Sequence, residues 1–304
     1  MRFSGLLLLL ICWLSPICAQ GGSGRILLGH NDDFARYTKL LQGVWASCPF
    51  AIQPLDLSLL SEADIRQRVR AVNPELVIAL GPAAAWQMNM ADLPVPILNL
   101  APDDALPRGN GAVVATNVSR ARQIELYCKL FPRLKTFAVI HMAEVSGAYV
   151  LQMRQAARKQ GVSLNGYSVS SYAEFEKALF DAEKSSDALI VMPEVTARWP
   201  SAGRFQVAFS VRTRKPLLSP IRYAGEGAVA RTFIDETDLG AYTGKVACRI
   251  IGGESPGTIG LRYVKPISVM LNTRIIQLLK IETSVELMGT HPVFKSDLLF
   301  GEEG

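Results

Sequence analysis

The sequence predicts an α/β protein made of two similar halves, and two observations support this prediction. Short apolar runs alternate with segments of helical periodicity, which is the pattern of a parallel sheet flanked by helices. The same order of features also occurs twice. An apolar run at 26–29 ends at His30, a second at 137–140 ends at His141, and each is followed by a helix-like segment.

Each half also contains a second apolar run that stops at a proline-containing turn. The first half has the run 76–80 before Gly81-Pro82, and the second half has the run 188–192 before Pro193-Glu194. The spacing from the histidine to this turn is nearly equal in the two halves. Ligands often bind where two such units meet, so we expect a cleft between the halves.

The first residues have the layout of a secretory signal peptide. Arg2 supplies a positive charge, the run 6–14 is almost wholly apolar, and Ala19 offers a small residue for cleavage. Residues 1–19 are therefore predicted to be removed, which places the mature protein in the periplasm without direct membrane insertion. Ile17 rather than a small residue precedes Cys18, which disfavours a lipid anchor.

The mature chain of this 304-residue sequence would keep Cys48, Cys128 and Cys248. They are widely spaced and form no C-x-x-C pair, so no metal or redox site is predicted and no cofactor is expected. Cys128 and Cys248 lie among helix-periodic apolar residues and are interpreted as buried small hydrophobes. One disulfide is compatible with export, and the spacing does not select the pair.

The formal net charge of +5 comes from scattered basic residues without an aromatic–basic stripe. A nucleic-acid partner is therefore not expected.

The predicted elements of the first half alternate regularly. A helix carrying Phe34, Tyr37, Leu41 and Trp45 follows the first strand, and Asp32-Asp33 would cap it. Ser61 and Asp64 resemble a capping box, and Pro82 suits the first turn of a helix. The predicted strands are 25–30, 51–57, 76–80 and 95–98, with 112–116 as an extended crossing to the second half.

The second half is predicted to repeat the scheme. Ser171 and Glu174 resemble another capping box, and the stretch 229–234 is interpreted as a crossing back. The predicted strands are 136–141, 162–168, 187–192 and 216–219, with an extended stretch at 263–271. The predicted helices are 119–131, 147–160, 237–251 and 273–279, with one more after Ser171. The lobes are predicted as 25–116 plus 230–262 and 117–229 plus 263–282, with 283–304 as a peripheral tail.

Five stretches carry a resemblance to a known family. They are LVIALGPAAA at 76–85, VVATNVS at 113–119, DALIVMPEVT at 187–196, KPLLSPIRYAGEGAVA at 215–230 and FIDETDLGAYTGKVACRIIGGESP at 233–256. The chain resembles the substrate-binding proteins of ABC importers with the type I periplasmic-binding-protein fold, and more narrowly the tryptophan/tyrosine-type binding components.

That resemblance implies two Rossmann-like lobes with parallel sheets flanked by helices and a three-crossover hinge. It also implies a monomer that closes on a small-molecule ligand without changing it, and an ABC permease and ATPase as partners. The chain departs from the family pattern at Gly81-Pro82, where Gly-Thr is usual, and at His141-Met142, where Asn-Pro is frequent. Ser219-Pro220 stands where the family has a Ser-Asp pair. The ligand of better-known relatives therefore does not transfer directly.

Ligands of open α/β sheets sit beyond the carboxyl ends of the strands, near helix N-termini. This rule and the family resemblance together select the candidate contacts, for which ordinary turn and capping chemistry is the alternative. The candidates are His30, Asn31, Asp32, Gly81, Pro82, Ala83, Ala101, His141, Met142, Ser146, Tyr149, Pro193, Glu194, Val195, Tyr223 and Asp235.

Several candidates have a specific expected role. Asp235 would accept a ligand ammonium or hydroxyl, or else cap the helix that follows it. Tyr223 would stack on a ligand ring, or else lie on the surface as an ordinary aromatic. The two strand-end histidines, His30 and His141, are expected to face each other across the ligand rather than to bind a metal.

The sequence contains one match to an enzyme motif. Gly253-Glu254-Ser255-Pro256-Gly257 matches G-x-S-x-G, but a nucleophile elbow needs a strand before the serine and a helix after it. A predicted helix precedes this serine, and Pro256-Gly257 is expected to prevent a helix after it. We therefore expect no enzyme activity.

The predicted function is a periplasmic solute-binding protein that delivers a small ligand, in our interpretation an amino acid, to an ABC importer. A periplasmic sensor that presents its closed form to a receptor is the alternative, and an enzyme on the same scaffold is disfavoured.

Overall fold

The computed structural model describes residues 25–32, 34–102, 111–221, 227–284 and 293–295. The predicted signal peptide, Asp33 and Tyr223 lie outside these residues.

The first lobe is built on a parallel sheet. Its strands, helices and their connections follow the predicted alternation, with a short 3₁₀ helix at Phe34–Tyr37 before the first α-helix. The elements are β1 (Arg25–His30), α1 (Thr38–Ser47), β2 (Ala51–Asp56), α2 (Glu62–Val72), β3 (Leu76–Leu80), α3 (Gly81–Met90), β4 (Ile97–Ala101) and β5 (Gly111–Ala115).

The second lobe follows with the same alternation. Its elements are α4 (Arg120–Leu130), β6 (Thr136–His141), α5 (Ala143–Lys159), β7 (Ser163–Ser168), α6 (Tyr172–Ser185), β8 (Ala188–Ile190), α7 (Pro193–Arg198), α8 (Pro200–Thr213), β9 (Leu217–Ser219) and β10 (Ala230–Phe233). The chain then returns through α9 (Glu236–Ile251), α10 (Pro256–Ile259) and β11 (Leu261–Tyr263), and ends with β12 (Ser268–Leu271), α11 (Thr273–Leu279) and β13 (Val293–Lys295).

Within the described ranges the first sheet has six strands in the order β11-β5-β4-β3-β1-β2, and every pairing is parallel. Helices cover both of its faces, so the side chains of a central strand such as β3 are all buried. Ile78 packs towards the α1 and α9 side, and Val77 packs towards the α2 and α3 side.

The second sheet has seven strands among the described residues, in the order β13-β12-β10-β9-β8-β6-β7. The pairings from β7 to β10 are parallel, whereas β12 and β13 are added antiparallel. Its core is one large apolar cluster that includes Tyr127, Phe131, Phe137 and Phe175. The fold is thus the predicted α/β architecture with two sheets flanked by helices.

Three short connections join the lobes, at 116–119, 234–235 and 264–267. All three link the carboxyl-terminal edges of the two sheets. Each connection follows the end of a strand, namely β5, β10 or β11. The third connection leads into β12, which runs antiparallel to β10 and therefore begins beside the end of β10, where Phe233 pairs with Ser268. Ile234, in the second connection, packs against the cores of both lobes. The two carboxyl edges therefore adjoin.

One predicted boundary needs correction. The stretch 230–233 is predicted in the first lobe, but β10 pairs with β9 and β12 in the second sheet, so the crossing begins only after Phe233. Backbone pairing decides this assignment, and it is not visible in local periodicity. The predicted peripheral tail, 283–304, contains the strand Val293–Lys295, which pairs with β12 at the end of the second sheet.

Helices α7 and α8 were not predicted. The buried face of α8 carries Gln206 and Ser210 beside Ala202 and Phe209. These polar residues interrupt the apolar periodicity that marks an amphipathic helix.

The first predicted capping box is confirmed at Ser61 and Asp64. The second is only half formed, because the Glu174 carboxylate accepts from the Ser170 N–H instead of from the N-cap residue Ser171.

Helices α1 and α9 pack backbone against backbone. A Cβ added to Gly43 would lie 2.5 Å from the carbonyl oxygen of Thr237, and Gly240 leaves no room for a Cβ against Leu40. At the end of this contact Cys48 and Cys248 form a disulfide with a Cα–Cα distance of 5.6 Å. The interpretation of Cys248 as a mere buried hydrophobe is therefore wrong, and of the cysteines in the described ranges Cys128 is the free one.

None of the described helices combines the length and the apolar content needed to cross a bilayer.

Candidate functional site

The first-lobe edge of the candidate site begins where β1 ends. The Nδ1 atom of His30 lies 2.8 Å from the backbone oxygen of Asp32, and its ring packs on Phe34 with 5.2 Å between centroids. Asn31 donates from Nδ2 to Oε1 of Gln87 on α3, at 2.8 Å. Because β1 and β3 are neighbours, this bond ties the β1 loop to the helix that follows β3.

Asp32 is exposed, and its carboxylate contacts two side chains of the adjacent 3₁₀ helix. It accepts a 3.0 Å hydrogen bond from the Tyr37 hydroxyl and lies 3.6 Å from Arg36. Burial and the bond to Asp32 raise the pKa of Tyr37 to about 12. Tyr37 is therefore a neutral hydroxyl at physiological pH and remains a hydrogen-bond donor.

The start of α3 is open to the site. Gly81 has φ +86°, a left-handed value that favours glycine. Pro82 occupies the first turn, and no side chain caps this helix end. Pro82 and Ala83 are exposed, so the first turn of α3 is accessible.

A cavity of about 220 Å³ opens beside this turn, at the carboxyl ends of β3 and β4. Four leucines form its apolar part, and charged or hydroxyl side chains contribute the rest. Its lining residues are Arg36, Tyr37, Leu40, Leu80, Gly81, Leu100, Thr116, Glu236 and Leu239. Of these, only Gly81 was a predicted contact. The others lie in the 3₁₀ helix, in α1, in α9, in β3, in β4 and just after β5, and only the fold brings these elements together.

The second-lobe edge repeats this arrangement with a different chemistry. Strands β6 and β8 are neighbours, so α5 and α7, which follow them, begin side by side. Ser146 on α5 is buried and donates from its hydroxyl to Oε1 of Glu194, in the first turn of α7. This bond orients a carboxylate at the carboxyl edge of the second sheet.

His141 lies at the same edge and is only 7% exposed. Burial lowers the pKa of this imidazole below its usual value, although the nearby Glu194 acts in the opposite direction. The ring is therefore neutral at physiological pH. Its Nδ1 atom is buried without a hydrogen-bond partner within the part of the chain that the structure describes.

Arg120, which sequence reasoning did not select, is also at this edge. Its guanidinium carbon lies 4.3 Å from the centroid of the Tyr149 ring. Nη1 of Arg120 donates to Gln123 at 3.2 Å, and Gln123 donates to the carbonyl of Pro220 just beyond β9. The sequence signal that was available is its position at the start of the predicted helix 119–131, which follows the predicted crossing 112–116.

The remaining predicted contact residues have neighbours that indicate a role in capping or core packing. Asp235 accepts from the Thr237 N–H at 2.9 Å, which is the capping role weighed as its alternative. The side chains of Ala101 and Val195 are buried in the cores, and Met142 is buried at the start of α5. Pro193 starts α7. The expected opposition of His30 and His141 across the ligand stays a prediction.

The G-x-S-x-G spelling does not have the context of a nucleophile elbow. Ser255 follows helix α9 rather than a strand. The expectation that Pro256 would prevent a following helix is wrong, since α10 begins at that residue. Across the described ranges, no group of three His, Cys, Asp or Glu side chains could hold a metal ion.

Comparison with solved structures shows where this fold occurs. A ligand-free, open substrate-binding protein with adhesive properties from Clostridium difficile is 19% identical, with a TM-score of 0.69 over 85% of this chain and 95% of that one. An ABC domain from Streptococcus pneumoniae solved in complex with L-Trp is 20% identical, with a TM-score of 0.56 over 86% and 96% of the two chains. At these identities the likeness shows the fold.

No curated protein sequence shows significant similarity to this chain. Residues 58–291, however, match the family described as ABC transporter substrate binding protein. This match spans both lobes and includes α3, α5 and α7, whose first turns carry the candidate contacts. The chain belongs to the ABC transporter substrate-binding protein family.

Proposed function

We propose that this protein captures a small ligand between its two lobes in the periplasm and delivers it to the permease of an ABC importer. The observation that carries the proposal is the joining of the two carboxyl edges by three short connections. Each edge presents polar side chains near helix first turns, which is where open α/β sheets bind ligands.

Capture would work by selection of a closed state. The connections at 116–119, 234–235 and 264–267 are short enough to act as hinges. A ligand that contacts both edges gains more contacts when the lobes are closed, so its binding shifts the population towards that state. The permease would then recognise the closed form.

The ligand class that fits best is an amino acid. Glu194 presents a carboxylate for an ammonium group, and the leucine-lined cavity offers space for an apolar side chain. The streptococcal relative was solved with L-Trp, which supports the same class. Asp235 is a weaker candidate for the ammonium because its carboxylate already caps α9.

Two observations support export to an oxidising compartment. Residues 1–19 have the layout of a signal peptide. Cys48 and Cys248 form a disulfide, and disulfides persist in exported proteins but are rare in the bacterial cytosol.

A thermal-shift screen of the mature chain tests the ligand class. The panel contains amino acids, nucleosides, sugars and organic acids, each at about millimolar concentration. Ligand at about 100 times its Kd adds roughly 2.7 kcal/mol to the free energy of unfolding, so we expect Tm to rise by several degrees with an amino acid. A panel in which only other classes raise Tm would contradict the amino-acid proposal and leave capture standing.

Capture and delivery require separate measurements. Ligand should reduce the radius of gyration in solution scattering, and an unchanged radius with bound ligand would contradict lobe closure. Deletion of the gene should reduce cellular uptake of the labelled ligand. Unchanged uptake would contradict delivery and favour the sensor alternative.

A further inference from the structure

We propose that Arg120 binds a carboxylate group of the ligand, and that it forms with Glu194 a pair of opposite charges that recognises a zwitterion. This inference rests on the proposed function, because it concerns the ligand of the same site. It assigns the anionic group of the ligand to one side chain instead of to a helix N-terminus.

The position of Arg120 supports this role. It is the first residue of α4 and follows the connection 116–119 directly, so it lies where the chain enters the second lobe. Thr116, at the other end of this connection, lines the first-lobe cavity. Gln123, to which Arg120 donates, bonds the Pro220 carbonyl at the carboxyl end of β9. The guanidinium is therefore held at the edge that faces the first lobe.

The guanidinium of Arg120 lies over the Tyr149 ring. A cation within about 6 Å of an aromatic centroid is attracted to the face of the ring, and here the distance is 4.3 Å. Tyr149 and Ser146 are three residues apart on α5, so they share one face of that helix. Because Ser146 binds Glu194, the guanidinium and the carboxylate flank the same helical face about one turn apart.

Arg120 also has a donor that the described residues leave unused. Its Nε atom is buried and makes no hydrogen bond within the described ranges. An unsatisfied buried donor is costly, and such groups need an explanation in a native structure. A carboxylate can accept two parallel bonds from a guanidinium, so a bound ligand would satisfy this donor.

Glu194 supplies the negative charge of the pair. Its Oε1 atom accepts from Ser146, and a carboxylate has two oxygens with about four acceptor sites in all. It can therefore accept an ammonium group while it keeps the Ser146 bond. A zwitterion would neutralise both side chains, whereas an amine or an acid alone would neutralise only one.

The test measures Kd by calorimetry for the strongest amino-acid ligand, for the amine that lacks its carboxylate, and for the acid that lacks its ammonium group. We expect Arg120→Gln to raise the Kd of the amino acid by about 10- to 100-fold, since hydrogen bonds to charged groups are stronger than those between neutral groups. The same variant should not weaken binding of the matched amine, because the amine has no carboxylate for the guanidinium to bind. Arg120→Lys should give an intermediate loss because lysine lacks the planar fork.

Arg122→Gln is the matched control. Arg122 lies on the same helix, but its guanidinium bonds Glu125 at 2.9 Å, so this variant should bind the amino acid like the wild type. Equal Tm values for the free variants would show that each one folds. If Arg120→Gln weakens the amine and the amino acid equally, Arg120 is structural and the inference is wrong. If the wild-type protein binds only uncharged ligands, the Arg120–Glu194 inference is wrong but the proposal of ligand capture is not. If it binds no ligand at all, both the inference and the proposed function are contradicted.

Discussion

Gly244 of α9 and Val44 of α1 are in backbone contact: a Cβ built on Gly244 would lie 2.5 Å from the carbonyl oxygen of Val44 and 2.8 Å from Cβ of Ser47. Gly240, one turn earlier, meets Leu40 in the same way, and Cys248, one turn later, bonds Cys48. Small residues at this spacing let the two helices approach more closely than side chains would allow. The contact joins α9, which returns from the second lobe, to the first lobe.

Alanine at position 244 should destabilise the first lobe. The added methyl group must push backbone rather than a flexible side chain, and overpacking of this kind costs about 1–3 kcal/mol. Urea denaturation followed by circular dichroism would measure the loss. Gly147→Ala on α5 is the control, since nothing lies within 4 Å of its added Cβ and an unstrained Gly→Ala change stabilises by about 0.4–1 kcal/mol. Equal effects at the two positions would refute the close-contact explanation.

Removal of the disulfide should lower stability more than removal of the free thiol. The Cys48–Cys248 link closes a loop across a sequence separation of 200, and loss of a native disulfide typically costs about 2–5 kcal/mol. The double variant Cys48→Ala with Cys248→Ala should show this loss in denaturant titrations. Cys128→Ala is the control.

Thiol counting checks the same pairing directly. Alkylation of the unfolded but unreduced mature chain should label Cys128 alone in mass spectrometry. Burial raises the pKa of that thiol to about 11, so it should react slowly in the folded protein. Labelling at Cys48 or Cys248 without reductant would contradict the disulfide.

Loss of the Glu194 charge should weaken ligand binding without unfolding the protein. Glu194→Gln keeps the size of the side chain but removes the charge offered to an ammonium group, so Kd for an amino-acid ligand should rise about 10- to 100-fold. Calorimetric titration would measure it. Glu144→Gln is a matched control, because Glu144 is an exposed acid in the first turn of α5. If both variants bind like the wild type, Glu194 does not contact the ligand.

Stability should fall at acidic pH partly because of His141. Burial holds its pKa in the folded protein below the usual value of 6.5, against the opposing influence of Glu194. The unfolded chain therefore takes up a proton at a pH where the folded protein does not. The contribution is complete above about pH 6.5 and is lost as the pH falls towards the folded pKa.

Urea denaturation at several pH values between about 5 and 8 would reveal this dependence. The free energy of unfolding should decrease with falling pH in the wild type, and the slope should be smaller in His141→Gln. Identical slopes in the two proteins would show that His141 does not contribute to the pH dependence.

The element order of this protein follows from local sequence patterns. Runs such as Leu76–Leu80 and Thr136–His141 are apolar enough to be buried on both faces of a sheet, and they were predicted at their observed bounds. The cap at Ser61 and the glycine at position 81 are also local signals, because each depends on a neighbour within a few residues. Helix α8 was missed because its buried face carries polar residues.

The candidate site was only half visible in the sequence. His141 and Glu194 were selected because the ends of strands can be recognised from local periodicity, and Ser146 because it lies between such a strand end and the predicted helix 147–160. Arg120 was not selected, because its role is inferred from its contact with Tyr149, which is distant in the chain and lies on another helix. The guanidinium carbon is 4.3 Å from the centroid of that ring. Tyr37 and Thr116 likewise became site residues only when the cavity between their elements was formed.

By itself the sequence determined the repeat of two α/β units, most strands and helices, and the strand ends at which we propose that a ligand binds, because hydrophobic periodicity is a property of neighbouring residues. Only the tertiary structure decided that Cys48 pairs with Cys248, that Ala230–Phe233 joins the second sheet, and that Arg120 lies on Tyr149. Each of these relationships joins residues far apart in the chain. Their choice of partner depends on packing and backbone pairing across the whole lobe, which no local pattern specifies.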